Sequence, residues 1–181
     1  MNYLQTITLK DGRTCILRNG TQGDGQAALD NFNLTHRQTE FLLSYPNEKG
    51  FSVEDEDRFL KEKTESEDEI ELLAVLDGNV IGMAGIECIG RREKVRHRAN
   101  VGISIDSAFW GLGLGKALMA ACIECAKKAG YKQLELDVFE QNERAIGLYK
   151  SLGFVPFGIN PKAILDREGK YQAMVLMRLE L

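Results

Sequence analysis

The sequence has few prolines, few histidines and no long apolar run. Only three of its 181 residues are proline, while 44% are hydrophobic and 28% are charged, which is typical of a folded globular chain rather than a disordered or fibrous one. No apolar run approaches the roughly 20 residues that cross a bilayer, and the N-terminus lacks the uninterrupted apolar stretch of a secretory signal. We therefore expect one domain over residues 1–181, located in the cytoplasm, with no membrane partner.

The four cysteines are too dispersed to predict a disulfide framework or a metal site. Cys15, Cys88, Cys122 and Cys125 lie among strand-like and helix-like apolar positions. The last two form a C-x-x-C, but it falls inside a helical pattern, and the chain has no second pair and only two histidines. A structural zinc needs four ligands, and a redox pair normally opens a helix. We expect reduced, mostly buried thiols and no metal.

The net charge of −4 argues against wholesale binding of nucleic acid. The charge is uneven, because residues 48–71 carry eleven acidic and four basic side chains, a net of −7, which leaves +3 for the rest. This segment either attracts a cationic substrate or forms a merely solvated acidic helix. Its acidic residues are Glu48, Glu54, Asp55, Glu56, Asp57, Glu62, Glu65, Glu67, Asp68, Glu69 and Glu71.

The order of the predicted elements indicates a mixed α/β domain. Tight turns at Asp11-Gly12 and at residues 77–79 predict two hairpins, and the segments 99–105 and 134–139 alternate as strands. Strands come first, then two helices, a hairpin, a strand, a helix, a strand, a helix and two strands. This order predicts a mainly antiparallel sheet with one parallel crossover.

A glycine-rich run, Trp110-Gly-Leu-Gly-Leu-Gly115, stands between a predicted strand and a predicted helix. Alternate glycines allow a sharp turn that converges backbone N–H groups and a helix N-terminus on one point, which attracts phosphate. A Walker A loop is disfavoured, because Ala117 follows Gly115-Lys116 where Ser or Thr would bind magnesium, and position 110 is Trp rather than Gly. A dinucleotide fingerprint fits poorly, because the spacing is G-x-G-x-G and several strands precede it. The loop alone leaves two interpretations open: a phosphate site or a tight turn.

A second run, Asn142-ERAIGLYKSLG-Phe154, follows the next strand. Together the two runs resemble motifs A and B of the GNAT superfamily of acyl-CoA N-acetyltransferases. The resemblance implies acetyl-CoA as co-substrate and a GNAT-like α/β (α+β) fold, with a mixed, mainly antiparallel sheet of six or seven strands flanked by about four helices. One position departs from the family pattern, because Trp110 replaces its Gln or Arg, so one phosphate-facing side chain is lost or replaced.

The resemblance also implies the cofactor-binding residues. The backbone of the glycine loop would hold the diphosphate, the free edge of the strand Val101–Ile105 would pair with the pantetheine arm, and Asn142 would hydrogen-bond that arm. Asn142 is also a natural N-cap for its helix. The expected cofactor-binding residues are Ile103, Ser104, Ile105, Leu112, Gly113, Leu114, Gly115, Lys116, Asn142 and Ala145.

Tyr149 matches the family tyrosine that acts as general acid toward the thiolate. A phenol with a pKa of about 10 is protonated at neutral pH and can donate, although a tyrosine on an amphipathic helix can serve packing alone. For the general base we predict Glu87, with Asp137 and Glu135 as alternatives; each could instead be a solvated strand residue, with water relaying the proton.

The acceptor is left open among three functions. The first is an N-acetyltransferase for a primary amine of a small molecule such as an amino acid or polyamine, acting through a ternary complex. The second is a protein N-terminal or lysine acetyltransferase, and the third is a CoA-binding sensor without catalysis. The segment Lys162–Leu181 and the basic loop Arg91–Arg98 look similar to family members that acetylate free amino acids, whereas the acidic segment favours a cationic acceptor. That basic loop could also receive a CoA phosphate or be merely solvated. Family members often form dimers, so a homodimer is expected.

Overall fold

The computed structural model describes residues 1–46, 48, 50 and 52–181. One basic residue of the acidic segment, Lys49, lies outside the described residues. The elements are β1 Leu4–Thr8, β2 Thr14–Asn19, α1 Gly25–Gln38, α2 Val53–Glu65, β3 Ile70–Leu76, β4 Asn79–Cys88, β5 Arg98–Ile105, α3 Leu114–Lys128, β6 Gln133–Phe139, α4 Glu143–Ser151, β7 Val155–Leu165 and β8 Tyr171–Glu180.

The strands form one sheet in the order β1-β2-β3-β4-β5-β6-β8-β7. β5 and β6 pair in parallel and every other neighbouring pair is antiparallel. The predicted mainly antiparallel sheet, with one crossover through the helix after the glycine loop, is therefore confirmed. The sheet has eight strands rather than six or seven, because both short hairpin arms at the N-terminus join it. Four α-helices flank it, as expected.

Helices cover both faces of the sheet. The central part of α3 packs on one face, with Leu118 and Cys122 fully buried in the larger core. On the other face α1 and α2 contribute Ala28 and Leu60, which pack with Leu73 of β3 in a second, smaller core. Burying an aliphatic side chain of this size stabilises the fold by about 1.5–3 kcal/mol. No helix in the described part of the chain is long and apolar enough to span a membrane.

Helix α2, which lies within the acidic segment, begins with a capping box. The Ser52 hydroxyl accepts from the Asp55 N–H at 3.1 Å, and the Asp55 carboxylate accepts from the Ser52 N–H at 3.2 Å. Such a cap contributes about 1 kcal/mol, and acidic side chains in the first turn favour the positive helix terminus. Part of the acidic charge therefore stabilises this helix.

The edge strand β7 is longer than the alternation predicts. A strand over residues 154–157 is expected, but β7 continues to Leu165 with register shifts between Pro156 and Gly158 and between Asn160 and Ile164. Proline cannot donate to a ladder and is confined to edge strands and bulges. The two prolines of this strand interrupt the alternating pattern without ending the strand.

Candidate active site

The sheet opens between β5 and β6. Their parallel ladder has three pairs, from Arg98 with Gln133 to Asn100 with Glu135, and beyond these pairs the strands diverge. A cleft of about 1450 Å³ occupies the opening and is walled by α1, α2, β3 to β6, the glycine loop and α4. Single small-molecule sites are typically 300–1,000 Å³. This cleft therefore has room for two reactants side by side.

The glycine loop presents unpaired backbone donors to the cleft. Gly111 and Gly113 adopt left-handed φ angles of 78° and 91°, and α3 begins directly after Gly113. Within the described part of the chain, no acceptor takes the N–H groups of residues 111–116. The first turn of any helix leaves such donors free, and phosphate oxygens satisfy them well. The loop therefore fits a diphosphate.

The glycines at 113 and 115 have different neighbours. A methyl group at Gly113 would meet only Lys10 Cγ, at 3.9 Å, so the position is open. A methyl group at Gly115 would lie 3.2 Å from Leu148 Cδ2 and 3.3 Å from Ile105 Cδ1. Gly115 thus permits close packing of α3 against β5 and α4, whereas the left-handed backbone is what requires glycine at 113.

At the glycine-loop end of the cleft, three cationic side chains contribute to the wall: Lys10, Lys116 and Arg144. The Arg144 guanidinium carbon lies 4.7 Å from the centre of the Trp110 ring, and the Trp110 indole N–H donates to the Ile105 carbonyl at 2.8 Å. The residue that replaces the family Gln or Arg therefore supports a cation from the second motif. Sequence reasoning missed Lys10 and Arg144. Arg144 lies within the second motif, residues 142–154, but no local pattern distinguishes Lys10.

Tyr149 lies on α4 with its ring against Phe154, at 5.9 Å between ring centres, and the residue is 8% exposed. It lines the cleft, and its hydroxyl has no hydrogen-bond partner among the residues that the structure describes. Burial raises the pKa of Tyr149 to about 12. The phenol therefore remains a proton donor at neutral pH, in addition to packing in the core.

The other predicted cofactor residues divide into two groups. Ile103, Ser104 and Ile105 line the cleft on β5, together with Gly113, Gly115, Lys116, Asn142 and Ala145. The remaining two, Leu112 and Leu114, pack into the hydrophobic core, so the loop offers their backbone rather than their side chains. The Asn142 side chain accepts from the Ala145 N–H at 3.2 Å, and it therefore caps α4 while lining the cleft.

The three predicted carboxylates differ in position. Glu87 and Asp137 line the cleft, whereas Glu135 forms an ion pair with Arg98 that lowers the pKa of Glu135. The Glu87 side chain is 74% exposed, and its Oε1 lies 3.9 Å from Lys63 Nζ. Desolvation raises the pKa of Asp137. The structure brings two of the three carboxylates to the cleft.

Glu71 is a cleft carboxylate that sequence reasoning did not single out. It lies on β3, and its carboxylate makes no hydrogen bond or ion pair within the described ranges. Burial, followed by the charge of Glu56, raises the pKa of Glu71 to about 8. The alternation of side chains in β3 could have identified it, because Glu71 lies on the same face as Leu73, the face covered by α1 and α2. Glu71 is one of eleven acidic residues in the segment 48–71, so its charge alone did not distinguish it.

The middle of the chain, residues 35–154, matches the model of the Acetyltransferase (GNAT) family. The chain belongs to the GNAT family. It is 37% identical over 102 residues to the L-amino acid N-acetyltransferase AaaT of Escherichia coli (strain K12), covering 56% of this chain and 62% of that one. It is 30% identical over 82 residues to the N-alpha-acetyltransferase RimI of Mycobacterium tuberculosis, covering 45% and 49%. The chain thus spans less than two thirds of the length of these curated relatives.

Solved GNAT structures share the fold over nearly the whole chain. An acetyltransferase of the GNAT family from Streptococcus pneumoniae superposes with a TM-score of 0.88 at 28% identity, covering 92% of this chain and 99% of that chain. The yncA structure from Salmonella typhimurium, which contains its cofactor acetyl-CoA, superposes with a TM-score of 0.81 at 20% identity, covering 92% and 94%. The mixed α/β fold of this chain is therefore the GNAT fold.

Two features considered in the sequence lie outside this GNAT cleft. In the basic loop, Arg91 pairs with Asp68 and Glu69, and residues 91–98 are not part of the cleft wall. Cys122 and Cys125 are buried free thiols, and burial raises the pKa of Cys125 to about 11. No group of three potential metal ligands occurs in the part of the chain that the structure describes.

Proposed function

We propose that this protein is an N-acetyltransferase that moves the acetyl group of acetyl-CoA directly to a primary amine of a small molecule. One observation carries the proposal: unpaired backbone donors at the glycine loop, the Tyr149 phenol and a set of carboxylates line the same cleft. Amine attack on a thioester needs an anchored donor, an acid for the thiolate and a route for the amine proton. This cleft holds groups suited to each task.

The loop residues 111–116 would hold the diphosphate of acetyl-CoA through their N–H groups. Lys10, Lys116 and Arg144 would add positive charge, and the β6-facing edge of β5, unpaired beyond Asn100, offers backbone groups to the pantetheine arm. Preset backbone donors of this kind stabilise the oxyanion that develops at the thioester carbonyl, which is usually the largest catalytic contribution. The bound cofactor supplies an activated acyl group.

Tyr149 would donate its proton to the departing thiolate. Its raised pKa keeps the phenol protonated, and proton transfer by a positioned group contributes typically 10²–10⁴-fold in rate. None of the four cysteines lines the cleft, so transfer within a ternary complex fits better than an acyl-cysteine intermediate. Glu87, at the level where β5 and β6 separate, and Asp137 are carboxylates that could receive the amine proton.

The acceptor would be an amino acid, a polyamine or a similar small amine. Glu56 and Glu71 from the acidic segment lie in the cleft wall with Glu87, and carboxylates attract an ammonium group. The name of the Escherichia coli relative, an L-amino acid N-acetyltransferase, supports the same class. The name of the RimI relative supports the alternative, a protein N-terminal acceptor.

The proposal includes a cytoplasmic location and a homodimer. Free thiols suit a reducing compartment. Val155, Phe157 and Ile159 of the edge strand β7 are each at least 50% exposed, and such apolar patches commonly mark protein interfaces. Sedimentation of wild type and Phe157→Glu tests the dimer. We expect a dimeric wild type and a monomeric Phe157→Glu variant. If both wild type and the variant are monomers, the dimer is contradicted.

Thiol release from acetyl-CoA in the presence of separate amines, amino acids and N-terminal peptides tests the function. We expect release with at least one free small amine and none with peptides. Release with peptides alone would assign a protein acetyltransferase. Acetyl-CoA binding without release in any sample would indicate a sensor and overturn the proposal.

A further inference from the structure

We propose that Glu71, rather than Glu87, is the general base that takes the proton of the acceptor ammonium group, and that the amine reaches it along a trench floored by Gly85 and Gly102. The inference rests on the proposed acetyl transfer and deepens it. Neither the family match nor the relatives' names assign a role to Glu71.

The trench follows from strand register. Glu71 on β3 pairs with Gly85 on β4, and Gly85 pairs with Gly102 on β5, so the three positions form one row across the sheet. A methyl group at Gly85 would overlap the Glu71 carboxylate, while a methyl group at Gly102 would meet no atom within 4 Å. The missing side chains leave a path from the carboxylate to the strand edge where β5 and β6 separate.

The Glu71 carboxylate is one of the unpaired acids that line the cleft. Lys63 forms an ion pair with Glu69 at 2.8 Å and lies 3.9 Å from Glu87, so its charge is shared by two other carboxylates. The Glu71 carboxylate has no ion pair and no hydrogen bond with any described residue. A base must be free to accept a proton, and Glu71 meets that condition.

The charged and titratable groups around Glu71 come from four elements. α2 contributes Glu56 and Lys63, β4 contributes Glu87, and α1 contributes His36 to the same cleft wall. From α3, the buried Cys122 thiol interacts electrostatically with Glu71. Two carboxylates and burial disfavour the ionised form of Glu71, and Lys63 opposes them only in part. The resulting pKa of about 8 suits proton exchange near neutral pH.

The protons balance as follows. The ammonium nitrogen carries three protons before transfer, and the amide product carries one. One proton passes to the ionised Glu71 carboxylate and then to solvent through the cleft. As the C–N bond forms and the C–S bond breaks, Tyr149 protonates the leaving sulfur and regains a proton from the acylated nitrogen. No oxidant, metal or covalent enzyme intermediate is required.

The kinetic test compares three charge-matched variants. With the best amine of the panel, Glu71→Gln should lower kcat/KM at pH 8 by about 100-fold or more. The loss of activity on acidification, centred near pH 8 in wild type, should disappear. Glu87→Gln should have a smaller effect, and Glu65→Gln, an exposed residue of the same acidic segment, controls for bulk charge. Acetyl-CoA affinity should stay within about twofold of wild type in every variant, which also shows that each one folds.

A second readout does not depend on turnover. Carboxyl carbon NMR of protein labelled at glutamate should show one group that titrates near pH 8 in wild type and is missing in Glu71→Gln. The inference is overturned if that signal survives, if Glu71→Gln keeps the wild-type rate and pH profile, or if Glu87→Gln alone removes them. A wild type that acetylates no amine would instead overturn the proposed function, and this inference with it.

Discussion

The donor half and the acceptor half of the cleft use different chemical groups of the protein. The donor half consists of main chain from residues 111–116, supplemented by side chains of α4. The acceptor half consists of side chains from four successive elements, α1, α2, β3 and β4. Backbone donors depend on φ and ψ, whereas side-chain acids depend on burial and neighbours. Donor binding should therefore respond to changes of backbone conformation, and acceptor chemistry to changes of charge.

The largest effect is expected from Gly113→Val. A β-branched residue is strained at a φ of 91°, so the loop must rearrange and its N–H groups lose their common direction. We expect acetyl-CoA affinity, measured by calorimetry, to fall by about 100-fold or more. Gly130→Val is the matched control, because Gly130 has a φ of 87° at the other end of α3 and does not line the cleft. Equal affinities in the two variants would refute diphosphate binding by the backbone of the glycine loop.

Tyr149→Phe should lower kcat by about 100-fold while leaving acetyl-CoA affinity unchanged, because it removes a proton donor and keeps the packed ring. Steady-state rates and calorimetry separate the two quantities. Tyr131→Phe provides the comparison, since Tyr131 is a buried tyrosine whose hydroxyl is unpartnered within the described residues and lies outside the cleft. A Tyr149→Phe enzyme as active as Tyr131→Phe would reduce the phenol to a packing role.

Glu71→Gln should stabilise the protein at alkaline pH. The folded-state pKa of about 8 lies above the ordinary glutamate value of 4.5, so the folded state keeps a proton that the unfolded state loses. Wild-type stability is therefore favoured by this group below pH 4.5 and declines as the pH rises to about 8. Denaturant unfolding should show Glu71→Gln more stable than wild type by about 4 kcal/mol at pH 8 and about equal at pH 4.5. A pH-independent difference would contradict the shift.

Arg144→Met should have the smallest effect. It removes the cation above Trp110, and we expect acetyl-CoA affinity to fall by about 5- to 10-fold, with a weaker dependence on salt. Lys150→Met, at an exposed position of the same helix that does not line the cleft, should leave the affinity unchanged. If both variants bind equally well, the stacked guanidinium does not compensate for the missing family Gln or Arg.

The same contrast explains what could be predicted from sequence. Element types, the parallel crossover and the donor loop could be predicted from local patterns. Glycine spacing and hydrophobic periodicity are both visible within short stretches of consecutive residues. Asn142, Ala145 and Tyr149 were predicted because one short run of residues resembles the second GNAT motif. These parts of the fold and the candidate site needed no knowledge of strand register.

The acceptor half could not be derived in this way. Glu71 matters because Gly85 lies opposite it and Glu56 packs near it, and both facts depend on strand register and on the packing of α2, which no local pattern specifies. Glu135 looked as suitable as Asp137 until its ion pair with Arg98 was visible. The bulges of β7 likewise depend on its edge position, which the alternation of its own residues does not reveal.

The N-terminal hairpin helps to hold the loop, because the Lys10 N–H donates to the Leu112 carbonyl at 3.0 Å. This bond joins residues separated by most of the chain, so the loop reaches its final form only when the first hairpin has docked. The Lys10 amide is therefore an internal reporter. Its deuterium uptake should slow when a nucleotide occupies the loop, although the hairpin contributes no helix or motif to the family signature.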